Sequence, residues 1–270
     1  MRLAGHGTPR TRGLALMFTL VVGLAVTLFS GARPTAQSPA SAPTLAQLVT
    51  VDVKPDAWDD YVALQKAESI PALQKAGVVS RHAWRATSLG KMFRVAYVYR
   101  MTTFGQFDEQ GPIVKALGEA GAKAYNAKLR KLLNGAEYQV LREHGELSFG
   151  LDGPMPKLGV LTHVKTVPGR QFEFEALLKD GWVPSLKKAA VPGYVVDEVV
   201  MGGAMGEYYT FTAIPNYASL DAGHPIMKAL GQADYQALVT KMGVTLQSVE
   251  RTVIKLDDEL SFDTKSTTTK

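Results

Sequence analysis

PIVKALG at Pro112 to Gly118 recurs as PIMKALG at Pro225 to Gly231, 113 positions further on. The same shift lays ELSF at Glu146 to Phe149 onto ELSF at Glu259 to Phe262. It aligns residues 45–149 with 158–262 without a gap, and 31 of the 105 pairs are identical. A unit of this length is too long for a solenoid repeat and suits a small domain, so the chain carries a duplicated domain. The joint at 150–157 (GLDGPMPK) is rich in Gly and Pro.

Both units parse in the same way. Each opens on a β run (LAQLVTVDV from Leu45, LGVLTHVKT from Leu158), with Val49, Val51 and Val53 alternating against Thr50 and Asp52, and Pro55 and Pro168 end it. A helix is predicted next, with Asp56 as N-cap and Trp58, Tyr61 and Val62 on one side, running to about Ala76. Pro71 and Pro184 fall inside it. A proline costs a helix hydrogen bond, so a kink or break is expected at the same place in both units. Two β runs around a Gly-containing turn (78–87 and 92–102; 194–201 and 207–214) predict a hairpin. Pro112 and Pro225 stand at the first position of short helices ended by Gly118 and Gly231. Tyr125, Leu129 and Leu132, like Tyr235, Leu238, Val239 and Met242, give a helical stripe, and a last β run is predicted over 137–147 and 250–260. The order is β-α-β-β-α-β, twice. This is the ferredoxin-like α+β plait, with helices on one sheet face, and the duplicate is expected to cover the bare face by packing sheet to sheet.

Outside the repeats, residues 1–36 contain Arg2, Arg10, Arg12 and Arg33 and no acid, with the apolar run LALMFTLVVGLAVTLF from Leu14 to Phe29. This is the layout of a signal peptide, cleaved after Ala32 or Ala36, and it predicts a periplasmic or extracellular protein. The rival reading is a retained anchor. The leader accounts for four of the five net positive charges, since the whole chain has 30 Lys and Arg against 25 Asp and Glu. A mature chain at +1 has no electrostatic footprint for nucleic acid or an anionic membrane, so neither is expected as a partner. Residues 37–44 read as a linker and 263–270 as a disordered polar tail. The absence of cysteine removes disulfides, thiol catalysis and Cys-ligated metals.

The tandem units, each carrying Pro-x-Leu-x-Lys-Ala-x-Val in the first helix (Pro71 to Val78, Pro184 to Val191), resemble the dimeric α/β-barrel superfamily, and its NIPSNAP-like branch in particular. The resemblance covers about residues 45–262. It implies two ferredoxin-like units packed as an intramolecular barrel. It leaves activity open, because the superfamily includes cofactor-independent mono-oxygenases, haem-binding and haem-degrading enzymes, isomerases and members without a known reaction.

No two of the mature chain's histidines, His82, His144, His163 and His224, share a metal-like spacing, and no metal site is read. His224 precedes Pro225 where the first unit has Gly111. Two readings stand for it, a haem ligand or acid–base group, as the resemblance implies, and a plain loop histidine at a helix start, which is favoured. Trp84 shares a strand face with His82. Tyr97, Tyr208 and Tyr209, with Tyr99 and Phe211, offer an apolar pocket with hydroxyl handles, although strands are commonly built of such residues. The candidate ligand set is therefore His224, Tyr97, Tyr208, Tyr209 and Trp84. Asn126 and Trp84 are the nearest types to the polar residue and tryptophan of the mono-oxygenase branch, but they do not align to its motif. The expected function is binding of a small apolar molecule between sheet and helices without a resident cofactor. The alternative is a cofactor-independent mono-oxygenase or haem-binding enzyme. The two units carry net charges of +3 and −3, and Arg85 and Arg94 stand where the second unit has Glu198 and Glu207. This sign swap predicts that at least one of the arginines meets one of the glutamates across the unit interface.

Overall fold

The computed structural model describes residues 44–150 and 153–264. The leader read at 1–36, the linker up to 43 and the tail from 265 lie outside the described residues. Among the described residues nine strands and seven helices follow in chain order. In the first unit they are β1 (Leu45–Val53), α1 (Trp58–Leu64), α2 (Ile70–Lys75), β2 (Ser80–Ala86), β3 (Arg94–Met101), α3 (Pro112–Leu132) and β4 (Leu133–Glu143). The second unit gives β5 (Leu158–Thr166), α4 (Gln171–Leu177), α5 (Val183–Lys188), β6 (Tyr194–Met201), β7 (Glu207–Ala213), α6 (Pro225–Leu230), α7 (Gln232–Gly243), β8 (Leu246–Leu256) and β9 (Phe262–Asp263). Among the described residues no helix is long and apolar enough to cross a membrane.

Within each unit the strands pair in the antiparallel order 4-1-3-2 of the plait. The units do not form an open sandwich. Their edges are hydrogen-bonded to one another, β4 to β6 and β2 to β8, so eight strands close into one barrel and no unit edge is left bare. The two seams share one register: Leu141 faces Val199 and Ile254 faces Ala86, while Arg142 faces Glu198 and Lys255 faces Arg85. These are the same pairs under the 113-residue shift, which is the mark of a pseudo-twofold axis.

Strand alternation divides the side chains between two environments. Leu48, Leu141, Val199 and Tyr209 pack inside the barrel, and Trp84 meets Phe211 there at 5.1 Å between ring centroids. Val51, Val53, Val164 and Val196 point outward to the helices. The inward-facing side chains pack against one another in the interior.

The proline expectation takes a specific form. A π turn, Gln65–Ser69, joins α1 to α2 immediately ahead of Pro71, and Leu178–Trp182 joins α4 to α5 ahead of Pro184. The wide turn absorbs the missing N–H while the backbone stays right-handed helical, so the rod continues without a break. Asp56 does not cap α1; it sits in a short 3-10 turn, Pro55–Ala57, and the residue ahead of α1 is Ala57. Gly118 (φ 71°) and Gly231 (φ 85°) interrupt the helices at equivalent places, as the repeated phrase predicts.

The last strands lie four residues earlier than read from the sequence, because β4 begins directly where α3 ends and β8 follows α7 after only the two-residue turn Val244 and Thr245. The apolar residues that suggested continuation, Leu147 and Leu260, instead project from turns, where the Leu147 N–H donates to His144 O at 2.9 Å. The polar tail also starts later than read. Asp263 pairs with Ser80 in β9, and the Thr264 N–H donates to Val79 O at 2.9 Å.

The swapped charges do meet partners, but not each other. Arg94 binds Asp52 through two bonds of 2.6 and 2.8 Å within its own unit, and Glu207 binds His163 and Lys165 within its own. Arg85 crosses the interface to Asp257 at 2.6 Å, and Glu198 crosses it to Arg142 at 3.5 Å and His144 at 3.6 Å. The expectation of an Arg–Glu pair is corrected for a physical reason. Each sign reversal is matched by a reversal at the ladder or turn neighbour, so neutralisation is local.

Candidate functional site

In the second unit the outer face of β5, β6 and β7 does not close against the helices. A cavity of about 680 Å³ remains, floored by Val160, Thr162, Tyr194, Thr210 and Thr212. Phe174, Leu178, Trp182 and Leu186 form the roof. They come from the α4–α5 rod, and their spacing of four residues is that of one helix face. His224, Tyr235 and Met242 make the third wall.

His224 is fixed in place by several contacts. Its Nδ1 accepts the Ile226 N–H at 3.3 Å, capping α6 ahead of Pro225, and its ring lies against Trp182 and Tyr235 at centroid distances of 5.2 and 5.1 Å. Burial, helped by the positive charge of Arg251, lowers its pKa to about 4. The ring is therefore neutral near pH 7. Because Nδ1 accepts, the proton resides on Nε2, which makes the imidazole a donor. Tyr194 is fully buried, and burial raises its phenol well above the ordinary range.

The same space in the first unit is filled. Arg81, Tyr61, Gln65, Tyr97 and Tyr99 stand at the positions of Tyr194, Phe174, Leu178, Thr210 and Thr212. Arg81 is 1% exposed, with Nε donating to Leu260 O at 2.9 Å, Nη1 to Gln65 Oε1 at 2.9 Å, and its guanidinium 4.6 Å from the Tyr97 ring centre. Tyr61 and Tyr97 share a hydroxyl–hydroxyl bond of 2.6 Å. The duplicates have thus diverged into one open, apolar space and one plugged, polar space.

The five residues singled out from the sequence go to four places. His224 lines the cavity. Tyr97 belongs to the plugged space of the first unit. Tyr208 is buried between β7 and α4 and donates to Glu175 Oε1 at 2.6 Å. Tyr209 and Trp84 are inside the barrel, Tyr209 donating to Gln139 Oε1 at 3.1 Å and stacking on His163 at 4.6 Å. Sequence reading missed Trp182, Thr210, Thr212 and Arg251. The helical spacing of Phe174, Leu178 and Trp182 was the available signal, and the loss of tyrosines at 210 and 212 relative to 97 and 99 was a second.

Haem, which the resemblance implies for some relatives, does not fit His224 as it stands. Ligation through Nε2 would force the ring proton onto Nδ1, against the Ile226 N–H that Nδ1 now accepts, whereas a metal-bound histidine donates from its second nitrogen. Among the described residues no group of three or more His, Asp and Glu is placed to hold a metal ion.

No protein-family model and no curated protein matches the chain. Solved structures do. An anthrone oxidase-like protein superposes over 83% of this chain and 94% of its own with a TM-score of 0.57 at 9% identity. A candidate monooxygenase from Lactobacillus acidophilus covers 83% of this chain and 97% of its own, with a TM-score of 0.50 at 10% identity. Another from Fusobacterium nucleatum covers 80% and 94%, with a TM-score of 0.51 at 12% identity. The fold is the dimeric α/β barrel. In this dimeric α/β barrel both halves lie on one chain, and that is what allowed the two helix-side spaces to diverge.

Proposed function

We propose that this chain is exported and binds a small apolar molecule in the helix-side cavity of its second unit, with neutral His224 as a hydrogen-bond donor. The observation that carries the reading is the cavity itself, open in one unit and filled by tyrosines and Arg81 in the other. Apolar walls with a few fixed polar groups are the usual make-up of a small-molecule site. Binding is preferred over catalysis by His224. A base whose pKa is lowered to about 4 is poorly matched to proton abstraction near neutral pH.

The test grafts the first unit's plug into the second. Thr210→Tyr with Thr212→Tyr reproduces the residues at Tyr97 and Tyr99, side chains that the same scaffold already holds. The uncharged fluorophore N-phenyl-1-naphthylamine should bind the mature wild type at one site and lose that binding in the double variant. Absence of binding by wild type, or equal binding by the variant, defeats the reading. Export rests on the leader pattern and is tested separately: the intact mass of the exported form should start at Arg33 or Gln37, and retention of Met1 would contradict cleavage.

A further inference from the structure

Three charged side chains line the cavity, Lys188, Lys228 and Arg251, and all are cationic. No Asp or Glu lines it, although the second unit as a whole has 12 acids against 9 bases. All three lie exposed at the mouth, and none forms an ion pair among the described residues. Lys188 and Lys228 have counterparts in Lys75 and Lys115, where no such cavity opens, so they say less about a ligand. Arg251 says more. It stands where the first unit has Tyr138, on the strand that pairs with the cavity floor, directly opposite Thr162.

Resting on the binding reading above, we infer that the ligand is an amphipathic organic anion: an apolar body held between sheet and helices, with an acidic group at the mouth against Arg251. The charges and the donors agree. Nδ1 of His224 is occupied by a backbone N–H, so the imidazole presents N–H, and Arg251 supplies a planar fork of donors suited to carboxylate or sulfonate. A cationic ligand would meet three like charges and no carboxylate among the cavity-lining residues. A neutral ligand would gain the apolar burial but leave the mouth's cations without a partner.

The test compares two probes sharing one scaffold, 8-anilinonaphthalene-1-sulfonate and uncharged N-phenyl-1-naphthylamine, titrated into the full mature protein. The sulfonate should bind at one site about tenfold more tightly than the neutral probe, the size expected of a charge-assisted hydrogen bond. Arg251→Gln should weaken the sulfonate by a similar factor and leave the neutral probe unchanged, with Arg251→Lys recovering part of the loss. Added salt should weaken the sulfonate alone. Equal affinity of the two probes, or an Arg251→Gln effect that is the same on both, overturns the inference while the cavity reading stands. Failure of both probes to bind wild type removes the cavity reading, and the inference with it.

Discussion

Leu147 lies in the last phrase of the first repeat and is buried at 1% exposure in the core of the second, while Leu260, its equivalent, is fully buried in the core of the first. Each ELSF phrase is therefore a strap that crosses to the other unit. Phe149 bridges to Tyr194 and Phe262 pairs with Arg81, again the same pair under the repeat shift. This gives the identity of the two phrases a structural cause.

Reciprocal straps lead to a crossed result. Leu147→Ala and Leu260→Ala should each cost about 2 to 5 kcal/mol, the usual range for emptying a buried leucine site. Amide exchange should show the loss in the opposite unit: Leu147→Ala should deprotect β5 to β7 first, and Leu260→Ala β1 to β3. Deprotection confined to the mutated residue's own unit would show that the straps do not transmit stability.

The charge swap separates a costly ion pair from a cheap one. Asp257 is 8% exposed, with Oδ2 on Arg85 at 2.6 Å and Oδ1 accepting the N–H groups of Glu259 and Leu260, whereas Asp52 and Arg94 are 43% and 36% exposed. Arg85→Ala strands a buried carboxylate and should cost about 2 to 3 kcal/mol. Arg94→Ala should cost no more than about 1 kcal/mol. Asp257→Asn in the Arg85→Ala background should recover most of the loss, since the amide oxygen can keep the turn bonds. Urea unfolding of the wild type and these three variants decides it, and equal costs for the two arginines would refute the burial argument.

Gly118 and Gly231 explain why the heptapeptide repeats. With φ at 71° and 85° and ψ at 171° and 165°, both occupy a region that side chains avoid, yet a Cβ at either would meet nothing within 4 Å. Alanine at Gly118 should therefore cost about 1 to 3 kcal/mol from backbone strain alone. A small-to-large series at this position, read by thermal unfolding, should plateau at alanine because no contact is added. A cost that climbs with side-chain size would mean that packing, and not φ, selects glycine.

The gapless repeat made the β-α-β-β-α-β order legible, since period and punctuation are local. Barrel closure was partly legible, because a one-faced sheet demands a partner but does not say whether edges or faces will join. The start of β4 was not legible. Helix and strand meet at Leu132 and Leu133 without a turn residue, and Leu147 mimics strand continuation while serving as a strap. At the cavity, His224 stood out because the copies differ there. Arg251 and Trp182 did not, for a cavity is defined by what fails to fill it, and that requires the opposing elements in place. The sign swap was visible, but its compensation by Asp257 and His144 required the seams.

Two half-buried groups titrate across the same pH range with opposite consequences. Asp197 faces Glu143 across the β4–β6 seam, and burial together with the Glu143 charge pushes it up to about 7. An acid whose folded pKa exceeds its unfolded value near 3.9 costs stability as pH rises from about 4 to 7, because the folded state holds the proton that the unfolded state has released. His224 lies at about 4 in the fold, below its unfolded value near 6.5. Its contribution is complete above pH 6.5 and is lost as pH falls toward 4, when protonation also removes the Nδ1 acceptor of the cap. His82, lowered by burial, acts in the same direction. Between about pH 4 and 6.5 the wild type should therefore show a shallow dependence, as the slopes oppose. Asp197→Asn should unmask the histidines and lose stability steadily on acidification from pH 6.5 to 4.5. His224→Asn, which keeps an oxygen able to cap α6, should do the reverse and gain stability over the same interval. Urea midpoints at four pH values for the three proteins measure both slopes. An Asp197→Asn profile parallel to that of wild type would show that Asp197 does not hold its proton in the fold.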